Sequence, residues 1–233
     1  MRTSALAAAV LAALALVTGC GLIDNTAATS SGPTSDGGGA GGSDPVAGTV
    51  RLDISSCLEN QDVIAGGVFV APDLVATVAH SFATTRRIDV VGTDGRSQPG
   101  RLVWIDTERD LALVTVRGPV DDWLGLGDAE DGSDAEVIVI DLDEEVVAKP
   151  ARIVRHVTAS LDGEGARAAI EIEAEIVKGD SGAPLITEDG AVAGIVFARV
   201  RGEDRGWVIG SSEIGRALDA LGTEDAEPLE FSC

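Results

Sequence analysis

From Thr49 onward the chain is a succession of short apolar runs, each closed by a turn signal. This pattern constrains the fold more than any other feature of the sequence. Val50, Leu52 and Ile54 alternate with polar residues, as a half-buried strand does. Further runs follow at Val63–Ala71, Leu74–Ala79, Ile88–Val91, Leu102–Ile105 and Leu111–Val116. Later ones are Val137–Ile140, Val146–Ala148, Ile153–Val157, Ala168–Val177, Ala191–Val200 and Trp207–Ile209. Between them stand Ala71-Pro72-Asp73, Gly92-Thr93-Asp94-Gly95, Asp131-Gly132, Asp162-Gly163-Glu164-Gly165 and Glu188-Asp189-Gly190. Such residues turn a backbone: Pro presets φ, Gly accepts positive φ, and Asp bonds its own backbone. Many short strands at regular spacing predict an all-β sandwich or barrel. One helical pattern is convincing, at the end, where Ser212 can cap, Ile214, Leu218 and Leu221 share a face, and Gly222 can stop the helix. About 185 residues is large for one small barrel and comfortable for two side by side. No internal repeat at a fixed period is present.

The residues before Thr49 have another texture. Arg2 precedes an apolar stretch, Ala5–Val17, which is shorter than the roughly 20 residues of a spanning helix. This is a secretory signal, expected over residues 1–19. The following Val17-Thr18-Gly19-Cys20 resembles the lipobox of bacterial lipoproteins. That resemblance implies cleavage before Cys20, acylation of its thiol and amino group, and attachment to the cell membrane. The alternative is ordinary cleavage near Ala28 with Cys20 a bystander. Thr26–Gly48 is Ser, Thr, Gly, Ala, Pro and Asp, with Val46 its one bulky apolar residue. Residues 20–48 are therefore expected to form a disordered tether, with a span of roughly 30 Å. The formal net charge of −22, with Lys149 and Lys178 the only lysines, argues against a nucleic-acid partner, which needs clustered Lys and Arg.

Three residues carry the chemistry expected of the strand-rich part. Ser181 lies in Val177-Lys178-Gly179-Asp180-Ser181-Gly182-Ala183-Pro184, where flanking glycines permit a sharp turn that exposes a hydroxyl and leaves N–H groups free. His80 follows an apolar strand in Thr77-Val78-Ala79-His80. Asp110 heads a buried run in Asp110-Leu111-Ala112-Leu113, and an aspartate there needs a hydrogen-bond partner. His156 has no motif around it and reads as strand surface or edge. The order His, Asp, Ser is that of chymotrypsin-type triads, distinct from subtilisin and α/β-hydrolases.

These three blocks resemble those of trypsin-like serine proteases, closest to the bacterial branch with the HtrA-type enzymes. Gly66-Gly67-Val68-Phe69-Val70-Ala71-Pro72, Gly194-Ile195-Val196-Phe197 and Gly206-Trp207-Val208-Ile209 are further similar to the actinobacterial acid-resistance periplasmic proteases. The resemblance implies two perpendicular six-stranded barrels, about 49–118 and 119–211, with a C-terminal helix and tail over 212–233. It implies a triad in the cleft between the barrels. Ser181 is then the nucleophile, His80 the base and acid, and Asp110 the orienting carboxylate, with the N–H groups of Gly179 and Ser181 as the oxyanion hole. The substrate is a protein or peptide, and no metal or cofactor is called for. The competing reading is a catalytically silent protease-fold module that binds partners at the cell envelope. The oligomeric state is open.

The sequence also departs from the family pattern. Ala183 replaces the glycine usual after Ser-Gly, which strains the backbone if positive φ is needed. Digestive members pair the aspartate before the serine with a new N-terminal ammonium, whereas HtrA-type members usually carry Asn. Asp180 therefore needs another cation, with Lys178, Arg155 and His156 as candidates. Ile138-Val139-Ile140-Asp141-Leu142-Asp143 stands where relatives have a glycine-rich turn. Glu175 lies where trypsin-like enzymes place the base of the P1 pocket. The preferred reading is that Glu171, Glu173 and Glu175 form the solvated face of a strand. Arg199 is an alternative determinant of P1 choice. Asp128–Asp134 and Asp141–Glu145 lack calcium-loop spacing and read as solvated loops. Cys57 and Cys233, two cysteines in an exported chain, suggest a disulfide. Closing so long a loop stabilises by up to roughly 5 kcal/mol in the chain-entropy model.

Overall fold

The structure, a computed structural model, describes residues 44–159, 166–223 and 229. The signal, Cys20, the tether up to residue 43, the 162–165 turn and Cys233 lie outside the described residues. The apolar runs fold into two closed six-stranded barrels. The first contains β1 (Thr49–Ser56), β2 (Val63–Ala71), β3 (Leu74–Thr77), β4 (Thr85–Gly92), β5 (Ser97–Asp106) and β6 (Leu111–Val116). The second contains β7 (Asp134–Ile140), β8 (Val146–Ala159), β9 (Arg167–Glu173), β10 (Pro184–Thr187), β11 (Val192–Arg199) and β12 (Arg205–Gly210). The orders β1-β2-β3-β6-β5-β4 and β7-β8-β9-β12-β11-β10 are the same topology, repeated without a repeat in sequence. Closure through the β1–β4 and β10–β7 pairs leaves neither sheet an open edge.

Three apolar cores hold this arrangement. Each barrel has an interior, with Leu52, Val75, Ala112 and Val114 in the first and Val137, Ile153, Ile172 and Leu185 in the second. A third core lies between the barrels and gathers Val68, Leu74, Leu111, Leu113, Ile138, Ile195, Phe197 and Ile209 with Ile214 of the terminal helix. β6 therefore buries both faces, Leu111 and Leu113 toward the second barrel and Ala112 and Val114 toward its own interior. This is why its sequence is continuously apolar rather than alternating. Each such Leu, Ile or Val contributes about 1.5–3 kcal/mol of transfer free energy.

Several details differ from the sequence reading. Residues 45–48, assigned to the tether, form a short helix, α1 (Pro45–Gly48), capped by the Asp44 side chain. Val46 packs on the inter-barrel core, and a side chain on Gly48 would meet Leu124 at 2.9 Å, so these residues belong to the domain. The runs at 146–148 and 153–157 are one strand, β8, spanning Pro150. Pro150 pairs only with Glu136 of β7, because the β9 ladder starts at Arg152, so its missing N–H costs no bond. The terminal helix, α2 (Ser211–Thr223), buries Ile214 and Ala217.

One acidic group is less solvated than expected, and one solvated turn makes an unexpected contact. Glu171 is buried and accepts from Arg155 Nε and Arg205 Nη1, both at 2.7 Å, whereas Glu173 and Glu175 are exposed. The arginine stems of the flanking strands cover the outer face of β9. The Asp141–Glu145 turn docks on the first barrel, where buried Arg51 of β1 donates to the Asp141 carbonyl at 2.8 Å and approaches Glu144 at 3.5 Å. The side-chain hydrogen bond to Asp53 leads in holding the Arg51 guanidinium above its ordinary pKa, against the pull of burial.

Candidate active site

His80 and Asp110 are brought together by strand register. β3 and β6 pair Thr77 with Ala112, and the same register carried outward sets Ala79 and His80 beside Asp110. β3 ends in a 3-10 turn over Ala79–Phe82, and Asp110 closes the turn before β6 with φ of +56°, a left-handed conformation that Asp tolerates. Three contacts zip the junction: Ala79 N–H to the Asp110 carbonyl at 3.2 Å, His80 N–H to Oδ1 at 2.8 Å, and His80 Nδ1 with Oδ2 at 2.8 Å. Asp110 is buried and the imidazole is half exposed. With Nδ1–H given to the carboxylate, Nε2 carries the lone pair and faces outward as a base.

A further residue, unforeseen in the sequence, stands behind Asp110. Arg167 is fully buried; its Nη2 donates to the Glu108 carbonyl at 2.9 Å, its Nη1 lies 3.9 Å from Asp110 Oδ2, and its guanidinium sits 5.1 Å over the Phe197 ring. Arg109 braces the same turn. It donates to Asp106 at 2.6 Å and reaches Glu213 of α2 at 3.3 Å, while Arg216 closes on Glu213 as well. Burial pushes both carboxyls up but is outweighed. Hydrogen bonds from the Arg109 backbone and side chain hold Asp106 below its ordinary 3.8, and those from Arg216 and the Ala168 N–H hold Glu213 below 4.5.

Ser181 lies on the ten-residue connection between β9 and β10, residues 174–183. Ala174, Ile176 and Ala183 plug it into the interior of the second barrel. Gly182 N–H to the Val196 carbonyl, 2.7 Å, and Val196 N–H to the Ala183 carbonyl, 2.9 Å, tie it to β11. Its other side rests on the first barrel, where Gly66 N–H donates to the Ser181 carbonyl at 2.7 Å. A Cβ on Gly182 would meet the Gly66 carbonyl oxygen at 2.1 Å and Thr77 Oγ1 at 2.6 Å, and one on Gly66 would meet Ala183 N at 2.6 Å. Backbone touches backbone here, and only glycines allow it. Gly179 and Gly182 have φ of +107° and +89°, whereas Ala183 is not among the residues with positive φ, so its side chain brings no strain. Among the described residues, neither the Gly179 nor the Ser181 N–H donates to a protein acceptor.

The cation for Asp180 is none of the three expected. Arg155 serves Glu171, His156 on exposed β8 meets Asp131 at 2.8 Å, and Lys178 is exposed. Lys149 of β8 fills the role instead, with Nζ 2.6 Å from Asp180 Oδ2, an oxygen that also accepts from the Val177 N–H at 2.8 Å. A cavity of about 720 Å³ opens beside this pair, walled by Val63, Ile64, Val139, Ile140 and Val147.

Comparison with known proteins gives a consistent answer. The family model described as "Trypsin-like peptidase domain" matches residues 65–195, a span that includes His80, Asp110 and Ser181. Serine protease Rv3671c of Mycobacterium tuberculosis is 30% identical over 172 residues, covering 70% of this chain and 43% of that protein. A probable periplasmic serine endoprotease, DegP-like, of Chlamydia pneumoniae is 26% identical over 183 residues, covering 70% of this chain and 35% of that one. The chain thus spans less than half the length of these relatives. The active-form crystal structure of the Rv3671c protease shares the fold with a TM-score of 0.73 at 24% identity, over 81% of this chain and 86% of that one. An inactive form superposes with a TM-score of 0.66 at 26% identity, over 76% and 90%.

Proposed function

The chain belongs to the trypsin-like peptidase domain family of serine proteases, and from that premise we propose that it is an extracytoplasmic serine endopeptidase acting through His80, Asp110 and Ser181. Ser181 Oγ attacks the scissile carbonyl while His80 Nε2 takes its proton. The imidazolium, stabilised by Asp110, then protonates the leaving amine and leaves an acyl-enzyme. Water, activated by the same imidazole, releases the acyl group and restores Ser181. The N–H groups of Gly179 and Ser181 bind the oxyanion, where loss of one such donor costs on the order of 3 kcal/mol in the transition state. The observation that carries this reading is the 2.8 Å His80 Nδ1–Asp110 Oδ2 bond, made in a domain whose serine turn keeps two N–H groups unengaged. The reading of a silent binding module loses one of its two supports, since Asp180 has a cation, and keeps only the unusual 138–143 block. A serine-directed fluorophosphonate should label the protein between pH 5 and 8 under oxidising conditions, and Ser181→Ala should not be labelled. An unlabelled wild-type protein would sink the proposal.

Two attachments complete the proposal. Cys20, after Val17-Thr18-Gly19, is the lipid acceptor that holds the domain at the membrane. Cys20→Ala should move the protein to the soluble fraction and abolish acyl labelling. Cys57 and Cys233 form a disulfide. Supporting this, the Leu229 N–H donates to the Leu102 carbonyl of β5 at 2.8 Å, which places Leu229, four residues before Cys233, on the barrel that bears Cys57. Alkylation of the unreduced protein should leave both cysteines unmodified.

A further inference from the structure

The serine turn poses a physical problem that Asp180 makes acute. Its side chain is 6% exposed, and a carboxylate taken out of water is destabilising unless a cation and hydrogen bonds meet it. Lys149 Nζ at 2.6 Å and the Val177 N–H at 2.8 Å meet the same oxygen. The lysine reaches it from β8, where residues alternate between the two faces of the strand. Val147, Lys149, Ala151 and Ile153 point toward the barrel, while Val146, Ala148 and Pro150 are exposed. The lysine is only 17% exposed, so solvent does not compete freely for it. Asp180 lies between Gly179 and Ser181, whose N–H groups have no protein acceptor among the described residues. Its two peptide planes carry the Gly179 carbonyl and the Ser181 N–H, and the Gly179 N–H, one peptide upstream, is held through the Val177–Asp180 turn that the same carboxylate closes. Backbone bonds hold the downstream side of the turn, Ala183 N–H to the Asp180 carbonyl at 2.9 Å and Gly66 N–H to the Ser181 carbonyl at 2.7 Å, whereas on the upstream side Asp180 N–H to the Val177 carbonyl is a long 3.3 Å, which leaves the carboxylate contacts to hold that side.

We infer that Lys149 is a positioning residue for the reaction: its ammonium clamps Asp180 and thereby holds the Gly179 and Ser181 N–H groups convergent without any newly cleaved chain end. This rests on the serine-peptidase reading of the site. The cation comes from the body of the second barrel, so the oxyanion site is set when the domain folds, and its competence does not wait on proteolysis.

The test compares wild type, Lys149→Met, Lys149→Arg and the double variant Lys149→Met/Asp180→Asn, in peptide hydrolysis and in fluorophosphonate labelling rate, well below each variant's Tm. Lys149→Met should lower kcat on the order of a hundredfold, as loss of an oxyanion donor does, with KM within about threefold. Lys149→Arg should recover most of the loss. The double variant, which has no buried charge to strand, should fold and give a kcat at least tenfold above Lys149→Met and about tenfold below wild type. A lysine that merely supports the fold would shift Tm and leave kcat of the folded fraction alone. A Lys149→Met kcat within threefold of wild type overturns the inference, as does a rise in KM without a fall in kcat. If Lys149→Met does not fold, a double variant with wild-type kcat overturns it. Wild type that is neither active nor labelled defeats the serine reading and this inference together. Labelled wild type with an equally active Lys149→Met defeats this inference alone.

Discussion

The two barrels share one topology and prepare their halves of the proposed site by opposite means. The first barrel presents His80 and Asp110 from short connections at adjacent strand ends, where the β3–β6 register already aligns them. The second presents Gly179 and Ser181 on a ten-residue connection shaped by partners distant in the chain: Lys149, Gly66 and Val196. The first half is therefore set by backbone register. The second is assembled, so its geometry is only as good as contacts that cross barrels and strands. Their sensitivities should therefore differ: the first half to changes of chemistry, the second to changes of shape and charge.

The largest effect should come from Asp110→Asn. Asn accepts the left-handed backbone at φ +56° as readily as Asp, so the junction should keep its shape and Tm should stay within a few degrees. The Asn amide can donate to Nδ1, which would move the imidazole proton to Nε2 and remove the base. A loss on the order of 10⁴ in kcat with unchanged folding is expected, from steady-state kinetics and thermal melts of the same sample. A large fall in Tm would break the comparison, since it would make Asp110 a structural element of its barrel.

Gly182→Ala should be next, and should strike both readouts. An added Cβ meets the Gly66 carbonyl oxygen at 2.1 Å and Thr77 Oγ1 at 2.6 Å, at a φ of +89°. Overpacking and backbone strain together should cost about 3 kcal/mol of stability, read as the shift in a urea midpoint. Because the clash pushes Ser181 off its seat on Gly66, kcat should fall as well. Stability lost without any loss of kcat would show that the serine turn does not depend on the first barrel.

The same contrast separates what the sequence made legible from what it did not. Strand periodicity and turn residues foretell both barrels, and the block around His80 and Asp110 reads well because its contacts follow from local register. Ala183 and Asp180 show the limit. Whether Ala183 needs positive φ depends on how the turn is seated, and the partner of Asp180 lies 31 residues away across a barrel. One signal pointed to Lys149: it has the same parity on its strand as Val147, Ala151 and Ile153, an inward place for one of only two lysines. Glu171 misled for the reverse reason. Alternation placed it on an outer face, and the arginines that cover that face come from flanking strands no periodicity connects. Arg167, behind Asp110, was equally invisible, because its neighbours come from the 108–110 turn and β11.

The smallest effect sharpens the comparison by asking how local the first half is. The Asp110 turn is braced from outside, through Arg109, to Glu213 of α2, so one charged tie does cross from the C-terminal helix. Asp106 and Glu213 are both held below their ordinary values of 3.8 and 4.5 by arginine and backbone donors that outweigh burial. A carboxyl with a depressed folded pKa binds its proton more readily when unfolded, so its stabilisation is full above the ordinary value and fades as pH falls through the folded one. Stability should therefore decline as pH drops below about 5. Glu213→Gln should lower stability by on the order of 1 kcal/mol at pH 7 and flatten that acid limb. It should leave kcat within about twofold at pH 7, because the β3–β6 register still sets His80 against Asp110. Urea titrations from pH 3 to 7 with kinetics at pH 7 would decide it. An unchanged acid limb would remove Glu213 from the linkage, and a tenfold fall in kcat would show that the first half of the site is also assembled at long range.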